Sequence, residues 1–280
     1  MGLSIIIVSY NTAELLRRCL NSLKSEIRNP KSEIEITVVD NGSSDGSVEV
    51  VKDFIDRNSR QFAKIRDDSC EIRLIENKEN LGFSKAVNQG IKVAGGETIL
   101  LLNSDTQIRP KALERLLEFE EKVRPAIIGA RLLNPDGSVQ PSVFHLPTIG
   151  GAVKEYWFGR KGEFSKYAPA GSEPVVVEAV VGGAMLISKG VIDKIGLLDE
   201  RYFMYFEDLD FCRRAAKTGF KVWYLPSAEI IHEHGASGRD LMDPKDQWTR
   251  LIPSSKTYHG AFRHYLVSFI IWIGQKTRKN

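Results

Sequence analysis

The chain has 280 residues, 42% of them hydrophobic and 27% charged, with a formal net charge of +3. Those figures are ordinary for a globular protein with a sizeable core, and the charge is too small to argue for a nucleic-acid partner. Its placement is uneven: residues 251–280 hold Lys256, Arg263, Lys276, Arg278 and Lys279 and no acid, so the rest of the chain stands near −2. Cys19, Cys70 and Cys212 are too widely spaced for a disulfide framework or a zinc pattern, and a reduced, cytoplasmic compartment is expected.

Met1-Gly2-Leu3-Ser4 runs straight into apolar residues with no basic leader, which reads as a first strand rather than a signal peptide. Residues 4–9 form a continuous Ile/Val run, the pattern of a strand buried on both faces. Residues 12–24 place Leu15, Leu16, Cys19, Leu20 and Leu23 on one helical stripe. A second strand over 34–39 stops at the turn-rich loop 40–46, and 47–58 reads as a helix. Strands are expected at 72–75 and 97–102, with helices at 83–94 and 111–123. This alternation predicts an α/β fold with a doubly wound, mostly parallel sheet and right-handed crossovers. Residues 134–178 lack periodicity and read as loops, with room for a short hairpin. The apolar run 175–187 is broken by Gly182-Gly183, the mark of a bulge or a close backbone approach. A helix over 206–217, a strand over 220–225 and an apolar pair before His232 complete the pattern. The apolar stretch 265–273 is far short of the roughly 20 residues that span a bilayer.

Three places carry chemistry. Residues 99–102 lead into Asn103-Ser104-Asp105, where a strand ends on a carboxylate. The triplet reads equally as a turn and as a site for a divalent cation carrying a diphosphate. Asp40 also ends a strand; it can cap a turn or accept from a nucleobase or ribose, and its shared edge with Asp105 favours a ligand. Asp45 reads as a cap alone. Glu207, Asp208 and Asp210 crowd together beside Tyr202, Phe203, Tyr205 and Phe206, a setting that raises a carboxylate's pKa and suits a general base. Pairing along a helix with Arg213 or Arg214 accounts for Asp210 without any catalytic role. His232-Glu233-His234 follows a β-type stretch and offers imidazoles to a metal, although the next glycine makes a strand through His234 doubtful. Neither a dinucleotide fingerprint nor a P-loop is present.

Taken in order over residues 3–240, these segments resemble the family 2 glycosyltransferases, inverting enzymes of GT-A fold that use nucleotide sugars. Residues 4–11, ending Ser9-Tyr10-Asn11, resemble the family's opening strand and turn. Val38-Val39-Asp40-Asn41-Gly42-Ser43-Ser44-Asp45 resembles the segment whose first Asp contacts the base. Asn80-Leu81-Gly82-Phe83, with Asn88 and Gly90, resembles a further family motif. Asn103-Ser104-Asp105 stands where the family has its D-x-D metal motif, with Asn in place of the first Asp. Glu207-Asp208 resembles the E-D motif whose Asp is the base, and His232 falls where many members supply a metal ligand. FEDLDFCRRA and the pattern from His232 to Ser237 look most like the bacterial rhamnosyltransferase-type branch.

The resemblance implies that Asp208 and Glu207 are catalytic and that Asp105 and His232 bind Mg2+ or Mn2+. It implies that Ser9, Tyr10, Asn11, Asp40, Asn80, Gly82, Asn103 and Ser104 hold the donor. The expected reaction moves a sugar, first of all rhamnose from dTDP-L-rhamnose, to a saccharide or lipid-linked acceptor in cell-surface polysaccharide synthesis. A catalytic domain over 1–245 is expected, with a nucleotide half to about residue 125 and an acceptor half after it. The basic, aromatic segment 246–280 is expected either to dock on the core or to lie at the inner face of the cytoplasmic membrane. An inactive nucleotide-sugar-binding protein is the alternative, supported only by Asn103; a nucleotidyltransferase would open on a Gly-rich basic loop that Ser9-Tyr10-Asn11-Thr12 does not provide.

Overall fold

A computed structural model describes residues 2–27, 33–62, 70–233 and 244–277. The first half is built as the hydrophobic periods predict. Strands β1 (Leu3–Ser9), β2 (Ile34–Asp40), β3 (Cys70–Glu76) and β4 (Thr98–Asn103) alternate with helices α1 (Ala13–Ile27), α2 (Ser47–Phe62) and α3 (Phe83–Val93). The four strands pair in parallel in the order β3-β2-β1-β4, with Ser9 opposite Asp40 and Val8 opposite Asn103. Parallel pairing in this register brings the ends of three strands to one edge.

The second half departs from a uniformly parallel sheet. After β5 (Thr106–Ile108) and α4 (Ala112–Val123), the chain forms β6 (Ala126–Leu133), β7 (Val143–Phe144), α5 (Ile149–Tyr156), β8 (Val175–Val177), β9 (Ala179–Val180) and β10 (Ala184–Ser188). Then come α6 (Lys189–Ile195), α7 (Glu207–Lys217), β11 (Lys221–His232), α8 (Pro244–His259) and α9 (Ala261–Thr277). The sheet continues β4-β10-β6-β11-β5, with β10 antiparallel to both neighbours and β5 antiparallel to β11. The run 175–187 is therefore three strands in three places rather than one interrupted strand: β8 edges β11, β9 pairs β7 in a separate ribbon, and β10 is central. The strands expected at 220–225 and near 230 are one strand, β11, whose register shifts between Leu225 and Glu229, around Pro226.

Both faces of the sheet are covered, and the strands divide their residues between them. Leu3, Ile5 and Ile7 pack with Leu16, Leu20 and Leu23 of α1 and Leu113 and Leu116 of α4. On the other face, Ile6, Leu101 and Met185 pack with Val87 of α3, Val191 of α6, and Leu209 and Phe211 of α7. Each fully buried aliphatic side chain contributes about 1.5–3 kcal/mol relative to exposure, so the two-sided core fixes the strand register firmly. A satellite core joins Ala152 of α5 to Val267 and Ile270 of α9, where the Trp157 indole donates to the Ile270 carbonyl at 3.0 Å. Among the described residues no helix is long and apolar enough to cross a membrane.

Candidate active site

The sheet edge is knitted together by short polar side chains. The Thr12 hydroxyl bridges Ser9 (2.9 Å) and Ser104 (2.9 Å), tying the first turn to the end of β4. Asn11 sits in the left-handed region at φ 51, accepting from Ser44 N–H at 2.8 Å while its own N–H reaches the Ser43 hydroxyl. Asp40, 2% exposed, uses one carboxylate oxygen to accept from the Gly42 and Ser43 amides at 3.1 and 2.8 Å. Its other oxygen, Oδ1, is buried with no protein hydrogen-bond partner. Asp40 thus both caps its loop and keeps one acceptor unspent. Asp45 accepts from the Ala13 amide and from Ser47, which makes it the cap that the sequence predicts.

Asn80 accepts from Asn41 and from Gly82 N–H, both at 3.0 Å, and so shapes the entry to α3. At Gly82, φ is 87° and a Cβ would lie 2.6 Å from the Phe203 carbonyl, which accepts from Phe83 N–H at 2.7 Å. Only glycine lets the α3 entry meet the aromatic loop before α7 this closely. Asn88 lies away from this edge and clamps the Leu198 backbone from both sides, a structural role.

Asp105, 4% exposed, places Oδ1 3.3 Å from His232 Nε2, and Asn103 Nδ2 stands 3.5 Å from the same nitrogen. β5 against β11 makes this contact, with Thr106 opposite His232 and Glu233 N–H donating to the Asp105 carbonyl. The other ring nitrogen, Nδ1, lies 2.7 Å from Gln140 Oε1. His234, Gly235 and Ser237 lie outside the described residues.

Tyr205 and Phe206 both have positive φ, 69° and 70°, immediately before α7. Two consecutive non-glycine residues held there store strain next to the acidic pair. Asp208 is half-buried; it accepts from Gly182 N–H at 3.2 Å and from its neighbour Leu209 N–H at 2.8 Å. Desolvation raises its pKa. Glu207 is buried, and desolvation followed by repulsion from Asp208 lifts its carboxyl well above the usual range. The pair thus has one buried acid, Glu207, and one half-buried carboxylate, Asp208. Asp210 is spent on Arg213 (2.6 Å) and Arg214 (2.7 Å), as helix spacing predicts.

Gly182 and Gly183 join the two centres. While Gly182 N–H holds Asp208, the Gly183 carbonyl accepts from Asn103 N–H at 3.0 Å. A Cβ on Gly183 would lie 3.7 Å from His232 Nε2, and one on Gly182 would lie 3.9 Å from the Asp208 Cβ. The glycine pair read from the sequence as a close approach is one: adjacent residues hold Asp208 through the Gly182 N–H and Asn103 through the Gly183 carbonyl. Lys166 and Gln140 escaped sequence reasoning, because each is a lone polar residue in the aperiodic stretch 134–178. Lys166 is solvent-accessible yet hemmed in, with Nζ 5.7 Å from the Phe144 ring centre. Desolvation lowers its pKa against the opposing pull of Asp208 and Glu207.

Comparison with known proteins gives the chain its family. The profile of Glycosyl transferase family 2 matches residues 4–196. The N-acetylglucosaminyl-diphospho-decaprenol L-rhamnosyltransferase of Mycobacterium tuberculosis is 31% identical over 257 residues, covering 85% of this chain and 78% of its own. The dTDP-rhamnosyl transferase RfbF of Shigella flexneri is 24% identical over 233 residues, covering 82% and 68%. S. aureus TarS 1-349 in complex with UDP superposes with a TM-score of 0.58 at 17% identity, over 97% of this chain and 70% of that one. GalNAc-T7 with UDP, GalNAc and Mn2+ gives 0.58 at 17% identity, over 83% of this chain and 44% of that one. With its strand edge, its glycine-joined acidic centres and these relatives, the chain belongs to glycosyl transferase family 2: it is a glycosyltransferase of GT-A fold, in the branch of its rhamnosyltransferase relatives.

Proposed function

We propose that the protein transfers a sugar, with inversion, from a nucleoside-diphosphate sugar to a hydroxyl of a saccharide or lipid-linked acceptor. dTDP-L-rhamnose is the first candidate donor, on the printed activities of the mycobacterial and Shigella relatives. The observation that carries the reading is the glycine pair, which sets a reachable carboxylate one residue away from the Asn103–His232 contact. Ser9, Tyr10, Asn11, Asp40, Asn80, Gly82, Asn103 and Ser104 form or shape the donor pocket, with the unspent Asp40 oxygen facing the nucleotide's donors.

Asp105 and His232 would hold Mg2+ or Mn2+. One carboxylate and one imidazole suit a hard cation whose remaining ligands come from diphosphate and water. Among the described residues no cluster of three or more His, Cys, Asp and Glu forms an all-protein site, in keeping with such a shared one. When bound, the ion supplies charge neutralisation for the leaving diphosphate. Asp208 takes the proton from the acceptor hydroxyl as its oxygen bonds to the anomeric carbon. The bond from that carbon to the diphosphate breaks on the opposite face, and the nucleoside diphosphate leaves. Glu207, buried beside the base, repels its charge and is itself pushed toward its neutral form.

Residues 1–245 act as the catalytic domain, its nucleotide half ending near residue 125, and 246–280 as a membrane-facing segment at the inner face of the cytoplasmic membrane. A panel of dTDP-, UDP- and GDP-sugars with Mn2+, scored by thermal shift and release of nucleoside diphosphate, tests the reading. Stabilisation and turnover by a dTDP- or UDP-sugar is expected; a protein that binds a member but cleaves none is the inactive nucleotide-sugar-binding alternative, and one that binds none contradicts the reading.

A further inference from the structure

We propose that Gln140 is a positioning residue that fixes the tautomer of His232. It holds the ring proton on Nδ1 and leaves the Nε2 lone pair directed at the Asp105 side. The argument is one of hydrogen-bond direction. Gln140 Nε2 lies 3.2 Å from the His232 carbonyl oxygen and 3.0 Å from Asn134 Oδ1. A backbone carbonyl can only accept, so the amide nitrogen of Gln140 must face it and the amide oxygen must face the ring. That oxygen lies 2.7 Å from His232 Nδ1. As a pure acceptor it requires a proton on Nδ1, and a neutral imidazole then has none on Nε2.

The direction is fixed a second time from the far end. The Ser138 hydroxyl donates to Asp136 Oδ1 at 2.6 Å, and Ser138 N–H donates to the same oxygen at 2.9 Å. Asp136 accepts from Ser138 strongly enough that its pKa is lowered, so it stays a carboxylate and only accepts. The Ser138 oxygen is left to accept from Asn134 Nδ2 at 2.8 Å, which turns Asn134 Oδ1 towards Gln140 Nε2. Reversing the Gln140 amide would set oxygen against the His232 carbonyl whatever Asn134 did. The tight turn 134–138, closed by Asn134 N–H to the Ser138 carbonyl at 2.8 Å, carries this relay beside the strand that ends at His232. Gln140 itself is 7% exposed, shielded from competing water.

The consequence lies at Nε2. This nitrogen is 3.3 Å from Asp105 Oδ1, so without Gln140 the nearest strong acceptor would draw the ring proton to Nε2 and block it as a ligand. Partners of this kind on the second nitrogen of a metal-binding His set its orientation and its tautomer. The inference rests on the reading of His232 as a metal ligand, but the tautomer can be measured with no metal present.

The test is a long-range 15N–1H spectrum of the full chain labelled at histidine, recorded at a pH where imidazole is neutral, with His232 assigned through its loss in His232→Asn. The wild-type ring is expected to carry its proton on Nδ1. In Gln140→Met the proton moves to Nε2, and Mn2+ affinity, read from free Mn2+ by EPR, falls about 10–100-fold. Where Gln140→Met proves too unstable to study, the wild-type spectrum alone decides which ring nitrogen carries the proton. A wild-type proton on Nε2 overturns the proposal, as does Gln140→Met with unchanged tautomer and Mn2+ affinity. A wild-type ring protonated on Nδ1 in a protein that binds no Mn2+ would instead count against the metal reading.

Discussion

Asp208 is distinguished from its acidic neighbours by access: Asp210 is locked to two arginines and Glu207 is buried. A base works only when deprotonated, and burial raises the Asp208 pKa above the ordinary 3.8. Activity should therefore fall as pH drops through that raised value, placing the acid limb of kcat/KM above an ordinary aspartate's. Lys166 favours the charged form of both acids. Lys166→Met should move the limb to still higher pH; a limb that stays put or moves lower contradicts the pairing. Asp105→Ala removes the carboxylate that stands 3.3 Å from His232 Nε2 and should abolish the Mn2+ dependence of donor binding by calorimetry, while metal-free nucleotide binding persists. At this scale Asp40, Asp105 and Asp208 were legible because each follows an apolar run that sets where it must sit. Gln140 and Lys166 were not, since their partners come from 92 residues downstream in one case and from α7 in the other.

Elements with a clean period were read well, and those whose identity depends on neighbours were not. β1, β2, α1 and α3 follow from their apolar spacing. β6 and β10 are central strands of a mixed sheet, yet 126–133 was not assigned and 184–188 was merged with β8 and β9, because an unbroken apolar run does not state its partner or direction. The entry to α3 makes the sharpest test at this scale. Gly82 has φ 87 and ψ 167, a region nearly closed to other residues, and a Cβ would meet the Phe203 carbonyl. Gly82→Ala should cost about 2–3 kcal/mol in urea unfolding and loosen the Phe203–Phe206 approach to Asp208. A loss within experimental error would mean that the entry is more adaptable than its packing indicates.

Across the whole molecule, α9 stands out because it is apolar on two opposite faces. Val267 and Ile270 dock on α5, whereas Phe262, Tyr265, Phe269 and Trp272 are 81%, 59%, 55% and 52% exposed. At 100° per residue those four share one side, with Lys276 set over the Trp272 ring at 4.3 Å. Docking on the core, opposed in the sequence to membrane contact, leaves this second face exposed, so the proposed membrane contact does not compete with it. α8 links it to the loop before α7, with Ser254 donating to the Met204 carbonyl and Tyr258 packed 5.3 Å from Phe206. Vesicles containing anionic lipid should float the wild-type chain, and Phe262→Ser with Phe269→Ser and Trp272→Ser should abolish flotation without lowering thermal stability. Flotation that survives the triple change would assign membrane contact to another surface. The central claim is that Asp208 is the base of a nucleotide-sugar transfer, and Asp208→Asn tests it most directly. With the donor found in the panel, the variant should lose about 10²–10⁴-fold in kcat while its donor Kd stays at the wild-type value. Turnover within a few-fold of wild type, at unchanged donor affinity, would contradict the account.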